Sequence, residues 1–204
     1  MSDRPAALRT FLERLRDALA ARTADDDAAR VTTARVFDAL ERPNPSAGTG
    51  AGPGPARLPV CRHLEAALAT AASASADLRA VAEAFAAVEP ALRWQRRAGS
   101  EAVGEPFHGA HANATLIGPD GLETRRDVWI GCSLLGPHVR YPDHRHPPEE
   151  IYLVLSTGEW LRQGEPWREP GTGGIVHNPP DVVHAMRSGA EPLFAIWCLP
   201  LGAG

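Results

Sequence analysis

Lysine is absent from the 204-residue chain, so all 21 of its basic side chains are arginines. Chemistry that needs an ε-amine is thereby excluded, whether a Schiff base, a lysine nucleophile or the ammonium of a phosphate-binding loop. Cysteine is scarce: Cys61, Cys132 and Cys198 are odd in number, far apart and each beside apolar residues. They read as reduced core residues, and a disulfide scaffold is excluded. No apolar run reaches the length of a membrane span, and the opening stretch MSDRPAALRTFLERL lacks the apolar segment of a secretory leader. A cytoplasmic protein with no membrane partner is expected. Strong positive charge is missing too, since the net charge is −4 and residues 1–100 set 14 Arg against 12 Asp and Glu. That footprint is too weak for phosphate binding, and no nucleic acid partner is expected.

What is present divides into two halves. Of the 35 alanines, 27 lie before residue 101, whereas seven of the eight histidines lie after residue 100. In the first half Leu8, Phe11, Leu12, Leu15 and Leu19 recur at helical spacing behind Asp3 as cap and Pro5 in the first turn. A second helix near 27–41 is carried by Val31, Ala34, Phe37 and Leu40. The segment 43–59 is too rich in Pro and Gly for a helix and reads as a loop. Helix resumes at about 61 and breaks near 73–77, and Pro90 ends it. This α-helical region, 1–100, is expected to pack on the rest of the chain or on a second subunit, which leaves a homodimer open.

From 107 to 204 the pattern turns to short apolar runs between Gly and Pro: ATLI, DVWIGCSLL, EEIYLVLS, GIVH, DVVHAM and PLFAIWCL. Their length and their β-branched and aromatic content predict an antiparallel barrel or sandwich. Rossmann and TIM architectures are excluded, because strands and helices do not alternate.

The chemistry concentrates in 136–158, GPHVRYPDHRHPPEEIYLVLSTG. His144 and His146 share parity, as do Glu150 and Tyr152, so on extended backbone each pair points to one side. Pro147 and Pro148 break the register between the pairs. Two imidazoles and a carboxylate turned into an apolar interior need a partner, and a divalent metal supplies one. A fourth ligand is expected from another strand: His184 is the better candidate, and His177 competes or stands beside the site. Glu149, of opposite parity to Glu150, is expected to face away and to be solvated or paired. His63, His108, His111 and His138 sit in loops or helix ends and read as ordinary.

These residues resemble the two motifs of the cupin superfamily. The first reads Gly136, His144, His146, Glu150, Gly158, with longer spacers than the common form. The second has Gly173, Pro179 and His184 in register, with Asp181 in place of a Gly and Ser188 in place of an Asn. The resemblance implies a double-stranded β-helix, the jelly-roll barrel, mainly β and preceded by the helical half. It also implies one metal held by His144, His146, Glu150 and His184. Such a ligand set suits Zn, Fe, Mn, Co or Ni alike.

Tyr141 stands three residues before the first ligand and Tyr152 two after the glutamate, and with LLGPHVRYP and HNPPDVVHAM the chain resembles the cupin-type dimethylsulfoniopropionate (DMSP) lyases of bacteria. That resemblance implies a small β-sulfonium carboxylate as substrate, cleaved to acrylate and dimethyl sulfide. Because the sulfide leaves neutral, the reaction needs a base but no acid. Tyr152 is the expected base, since a nearby dication favours phenolate, with Tyr141 assisting. Trp197 and Trp129, on predicted strands, are the aromatic faces expected to meet the sulfonium, with His177 as a further substrate contact. Trp160 and Trp167 fall in a turn-rich stretch and are expected to cover an edge. The motifs alone leave two rivals: another metal cupin enzyme, such as a dioxygenase or isomerase of a small acid, and a ligand-sensing regulator.

Overall fold

The computed structural model describes residues 4–44 and 54–202; the expected cap Asp3 and the 45–53 part of the Pro- and Gly-rich loop lie outside them. Helix α1 (Ala6–Arg22) follows Pro5, which stands at the cap position rather than inside the first turn, and it buries Leu8, Phe11, Leu12, Leu15 and Leu19 along one stripe. Helix α2 (Asp27–Glu41) starts at Asp26, whose carboxylate accepts from the Ala29 N–H at 3.1 Å. Of its expected buried face Phe37 and Leu40 are buried, but Val31 and Ala34 are not. Val31 is 49 % exposed and Ala34 is exposed, while Thr32, Thr33, Val36 and Phe37 are buried. Two threonines can be buried because the Thr33 hydroxyl donates to the Ala29 carbonyl at 2.8 Å, and that of Thr32 has two acceptors for its one proton, the Ala28 carbonyl at 3.0 Å and the Glu149 carboxylate at 2.7 Å. The third helical stretch does break, into α3 (Leu64–Ala74) and α4 (Ala76–Val88), and Ser75 between them caps α4 through the Leu78 N–H.

The strands are β1 (Trp94–Gln95), β2 (His111–Ile117), β3 (Val128–Leu135), β4 (Arg140–His144), β5 (Glu150–Val154), β6 (Glu159–Arg162), β7 (Ile175–Asn178), β8 (His184–Arg187) and β9 (Leu193–Pro200). They form two antiparallel sheets, one ordered β1-β2-β3-β9-β5-β7 and the other β4-β8-β6. The two sheets face each other as the cupin jelly-roll barrel, with the helices outside the larger one. The edge strand β1 comes from the first hundred residues.

Every residue of β9 is buried because both faces of the large sheet are covered. Phe194, Ile196 and Cys198 join the helices in one core, together with Ile151, Leu153, Ile130 and Cys132. The alternate residues Leu193, Ala195, Trp197 and Leu199 face into the barrel, with Tyr152, Val154, Tyr141, Trp160 and Met186. The three cysteines are free and buried. Trp160 corrects its expected place: although β6 is an edge strand, the ring turns into the barrel interior and is 2 % exposed. Trp167 remains partly exposed, with the Arg187 guanidinium 4.2 Å from its ring. No described helix is long and apolar enough to cross a membrane.

Phe194 links the layers, with its ring 5.0 Å from Phe85 of α4 and 6.5 Å from Trp94 of β1. Phe194→Ala is expected to lower the unfolding free energy by about 3–5 kcal/mol, whereas Val31→Ala changes it by less than about 0.5 kcal/mol. Denaturant titration of the two variants measures both.

Candidate active site

Tyr141 pairs with Met186 and His144 with His184, so a three-residue step on β4 matches a two-residue step on β8. This bulge lets Tyr141 and His144 both face inward, although strict alternation would put residues three apart on opposite sides. His146 lies past the end of β4, in the loop that Pro147 and Pro148 shape, and its Nδ1 meets the Pro148 carbonyl at 2.8 Å. Nδ1 of His144 meets the Pro142 carbonyl at 2.9 Å, and Nδ1 of His184 meets that of Val182 at 3.0 Å. With each Nδ1–H donated to a carbonyl, the rings turn their Nε2 atoms to the interior, bare of hydrogen in the neutral form. The imidazole ligand atoms of His144, His146 and His184 lie within 4.8 Å of one another.

Glu150 closes the group from β5. Its carboxylate oxygen stands 3.2 Å from Nε2 of His184 and 3.4 Å from Nε2 of His146, and accepts from the Asn178 amide at 3.3 Å. Nε2 of His184 is buried and has no hydrogen-bond partner. A lone pair on that nitrogen facing a carboxylate at 3.2 Å is repulsive unless a positive charge lies between them. Three imidazole nitrogens and one carboxylate in this arrangement fit a divalent transition metal ion.

Burial lowers the His144 pKa to about 4, with His184 adding to the effect, so its ring is neutral at neutral pH. Burial opposes ionisation of Glu150, yet the neighbouring imidazoles of His146 and His184 hold its pKa down to about 2. His146 moves up: burial disfavours its cation, but the neighbouring Glu150 carboxylate prevails. Burial and the neighbouring Glu150 push the Tyr152 phenol well above its ordinary value. Tyr141 is raised by burial, against lowering contributions from Asn113 and Arg97.

The group opens on a cavity of about 300 Å³ that Tyr141, Tyr152, Trp129 and Trp197 also line. The indoles of Trp129 and Trp197 meet edge to face at 5.3 Å between centroids. Trp197 can lie flat across β3 only because Gly131 is there, since a Cβ at that position would come within 2.3 Å of the indole.

His177 is a correction. It pairs with Ile151, the residue on β5 whose side chain faces the helices, so it points out of the barrel. There its Nε2 lies 3.0 Å from the Thr32 hydroxyl and 3.4 Å from the Glu149 carboxylate, and it does not line the cavity. Glu149 does face away and is paired, with Arg35 and with the Thr32 hydroxyl at 2.7 Å. His111, read as ordinary, is fully buried and bridges the Phe107 carbonyl and the Arg97 N–H. The sequence reading missed Asn178, Asn113, Ser133 and Arg97. Asn178 directly follows His177 in HNPP, and strand parity places it with Glu150.

Both departures from the second cupin motif have local explanations. Asp181 adopts φ 58°, the left-handed backbone that favours glycine and that Asp tolerates, and its N–H donates to the His146 carbonyl at 3.0 Å. The Ser188 hydroxyl donates to the Gly136 carbonyl at 2.6 Å and accepts from the Val139 N–H at 2.9 Å, which fastens β8 to the approach of β4.

A two-sheet barrel with three histidines and a carboxylate inside it defines a metal-site cupin. The DMSP lyase family model matches residues 28–195. The chain is 29 % identical over 143 residues, 70 % of each chain, to dimethylsulfoniopropionate lyase DddQ of Ruegeria pomeroyi. The crystal structure of DMSP lyase DddQ from Ruegeria pomeroyi DSS-3 superposes with a TM-score of 0.68 at 25 % identity, covering 98 % of this chain and 92 % of that one. A chain from the crystal structures of the DMSP lyases RdDddP and RnDddQII has a TM-score of 0.69 at 23 % identity, covering 98 % and 94 %, and shows the same fold. The protein belongs to the DMSP lyase family.

His184→Ala is expected to reduce bound transition metal by more than about half, whereas His177→Ala leaves the stoichiometry of the wild type. Elemental analysis of the metal-loaded, desalted variants makes the comparison. Metal loss confined to His177→Ala would overturn the ligand assignment.

Proposed function

We propose that the protein cleaves dimethylsulfoniopropionate to acrylate and dimethyl sulfide by β-elimination. One divalent transition metal, Zn, Fe, Mn, Co or Ni, would be held by His144, His146, Glu150 and His184. The observation that carries this reading is a cavity that His144, His146, the Glu150 carboxylate, two phenols and two edge-to-face indoles line together, with the ligand atom of His184 within 4.8 Å of those of His144 and His146. Family membership points to the same reaction.

A divalent cation in that donor set would offset the charge of Glu150, favour the phenolate of Tyr152 and act as a Lewis acid toward the substrate carboxylate. The Tyr152 oxygen takes the α-proton. The Cα–H electron pair becomes the new C=C bond, the Cβ–S bond breaks, and its electrons leave on neutral dimethyl sulfide. No general acid is required, because the leaving group departs as a neutral molecule. Trp129 and Trp197 offer ring faces to the sulfonium, an attraction worth about 0.5–2 kcal/mol. Tyr141, whose hydroxyl accepts from the Asn113 amide at 3.2 Å, is held to orient the substrate.

Tyr152→Phe is expected to retain metal while losing about 10²- to 10⁴-fold in kcat, as headspace dimethyl sulfide measures it. Full activity in this variant would move the base to Tyr141. Release of no dimethyl sulfide by the metal-loaded wild type would sink the proposal itself.

A further inference from the structure

The geometry points to Arg97 as a second contact for the substrate's carboxylate, beside the metal proposed above, an inference that rests on the lyase reading above. The substrate class is a zwitterion with its charges a few bonds apart, so a site that orients it needs a partner for each end. The two indoles serve the cation. For the anion, besides the proposed metal, Arg97 offers a half-buried guanidinium that lines the same cavity.

Three observations set this arginine apart. First, it makes no ion pair among the described residues, unlike Arg4, Arg35, Arg125 and Arg187, each of which faces a carboxylate. Second, its guanidinium carbon lies 5.4 Å from the centre of the Tyr141 ring, so the cation rests against an aromatic face and stays directed at the cavity. Third, the backbone beneath it is fixed from inside the barrel. The Arg97 N–H donates to Nε2 of His111 at 2.8 Å, and Nδ1 of that fully buried ring is committed to the Phe107 carbonyl at 2.5 Å. His111 is itself stacked on Phe107 at 3.8 Å. A loop tied to a buried histidine, carrying an unpaired guanidinium over a substrate-sized cavity, is a pre-organised carboxylate receptor. Asn113 reinforces it as a polar group on the same wall; its side-chain oxygen is buried without a partner.

The test compares wild type, Arg97→Gln and Arg97→Lys, all metal-loaded. Arg97→Gln is expected to raise KM for dimethylsulfoniopropionate by about 10- to 100-fold, with kcat changed less than about threefold. Arg97→Lys should recover part of the loss, because it returns the charge without the two-pronged geometry. Tryptophan-fluorescence titration supplies a readout independent of turnover. Arg97→Gln should weaken binding of 3-(methylthio)propionate, a carboxylate without the sulfonium, and leave binding of trimethylsulfonium, a sulfonium without the carboxylate, unchanged. An unchanged KM, or equal weakening toward both probes, overturns the assignment to the carboxylate. A wild type that binds 3-(methylthio)propionate through Arg97 yet releases no dimethyl sulfide refutes the lyase reading and leaves the carboxylate subsite standing.

Discussion

An ionised carboxylate at the bottom of an apolar barrel is the constraint around which the rest of the molecule is arranged. Glu150 is 4 % exposed, and a buried charge of that kind is untenable without compensation. The chain supplies part of it. The register of β5 with β7 places Asn178 opposite Glu150, so one oxygen receives an amide hydrogen. The remaining neighbours are imidazoles whose Nδ1 atoms are committed to carbonyls, which leaves lone pairs aimed at the carboxylate. A donor set of this composition is complete only when a cation occupies its centre. The backbone carbonyls of Pro142, Pro148 and Val182 therefore matter as much as the rings, because they decide which nitrogen faces inward.

Holding that set in place falls to a sheet whose two faces do different work. Along β5, Glu150, Tyr152 and Val154 face the cavity while Ile151 and Leu153 meet the helices, and β9 alternates in the same way. Removing the helical layer would expose an entire apolar sheet face. The layer also grips the ligand strand from behind, since Glu149, next to Glu150, is paired with Arg35 and Thr32 of α2. A second tie lies at the end of α2, where buried Arg125 donates to the Ala39 carbonyl at 2.7 Å and forms a two-pronged pair with Asp127. The helical half is thus the backing that fixes β5 and β3, the strands that carry Glu150, Tyr152 and Trp129.

Much of this was legible in the sequence wherever a local rule governs the outcome. Parity placed Glu150 with Tyr152 and sent Glu149 away; apolar spacing located the helices and their break near 73–77, where Ser75 caps α4. The failures share one cause, which is that the deciding partner is distant in sequence. His177 looks like Glu150 in its surroundings, but only its pairing with Ile151 reveals which face it takes. The face of α2 was legible only at Phe37 and Leu40, because Val31 is more apolar than Thr32 and only the structure shows what satisfies the threonine hydroxyls. Trp160 was assigned by the turns around it, although its ring is drawn inward by the barrel. Arg97 carries no sequence signal at all, one arginine among 21, and gains meaning only from His111 and Tyr141 beside it.

The use of arginine alone for positive charge bears on why the site can accept a metal. A guanidinium remains protonated at any physiological pH and has no lone pair to donate. It therefore belongs at rims and interfaces, where Arg125, Arg35 and Arg187 meet carboxylates and where Arg187 also packs on Trp167. Placed among the ligands, it would compete with a metal for Glu150 as a permanent counter-ion. Imidazole can be neutral, and burial favours the neutral form, as the fall of His144 to about 4 shows. The desolvation that makes a buried carboxylate costly is thus the same effect that leaves a histidine lone pair free to bind a cation. In a barrel interior with histidines, one glutamate and no fixed cation among them, a single physical effect would thus create both the demand for a metal and the lone pairs able to meet it.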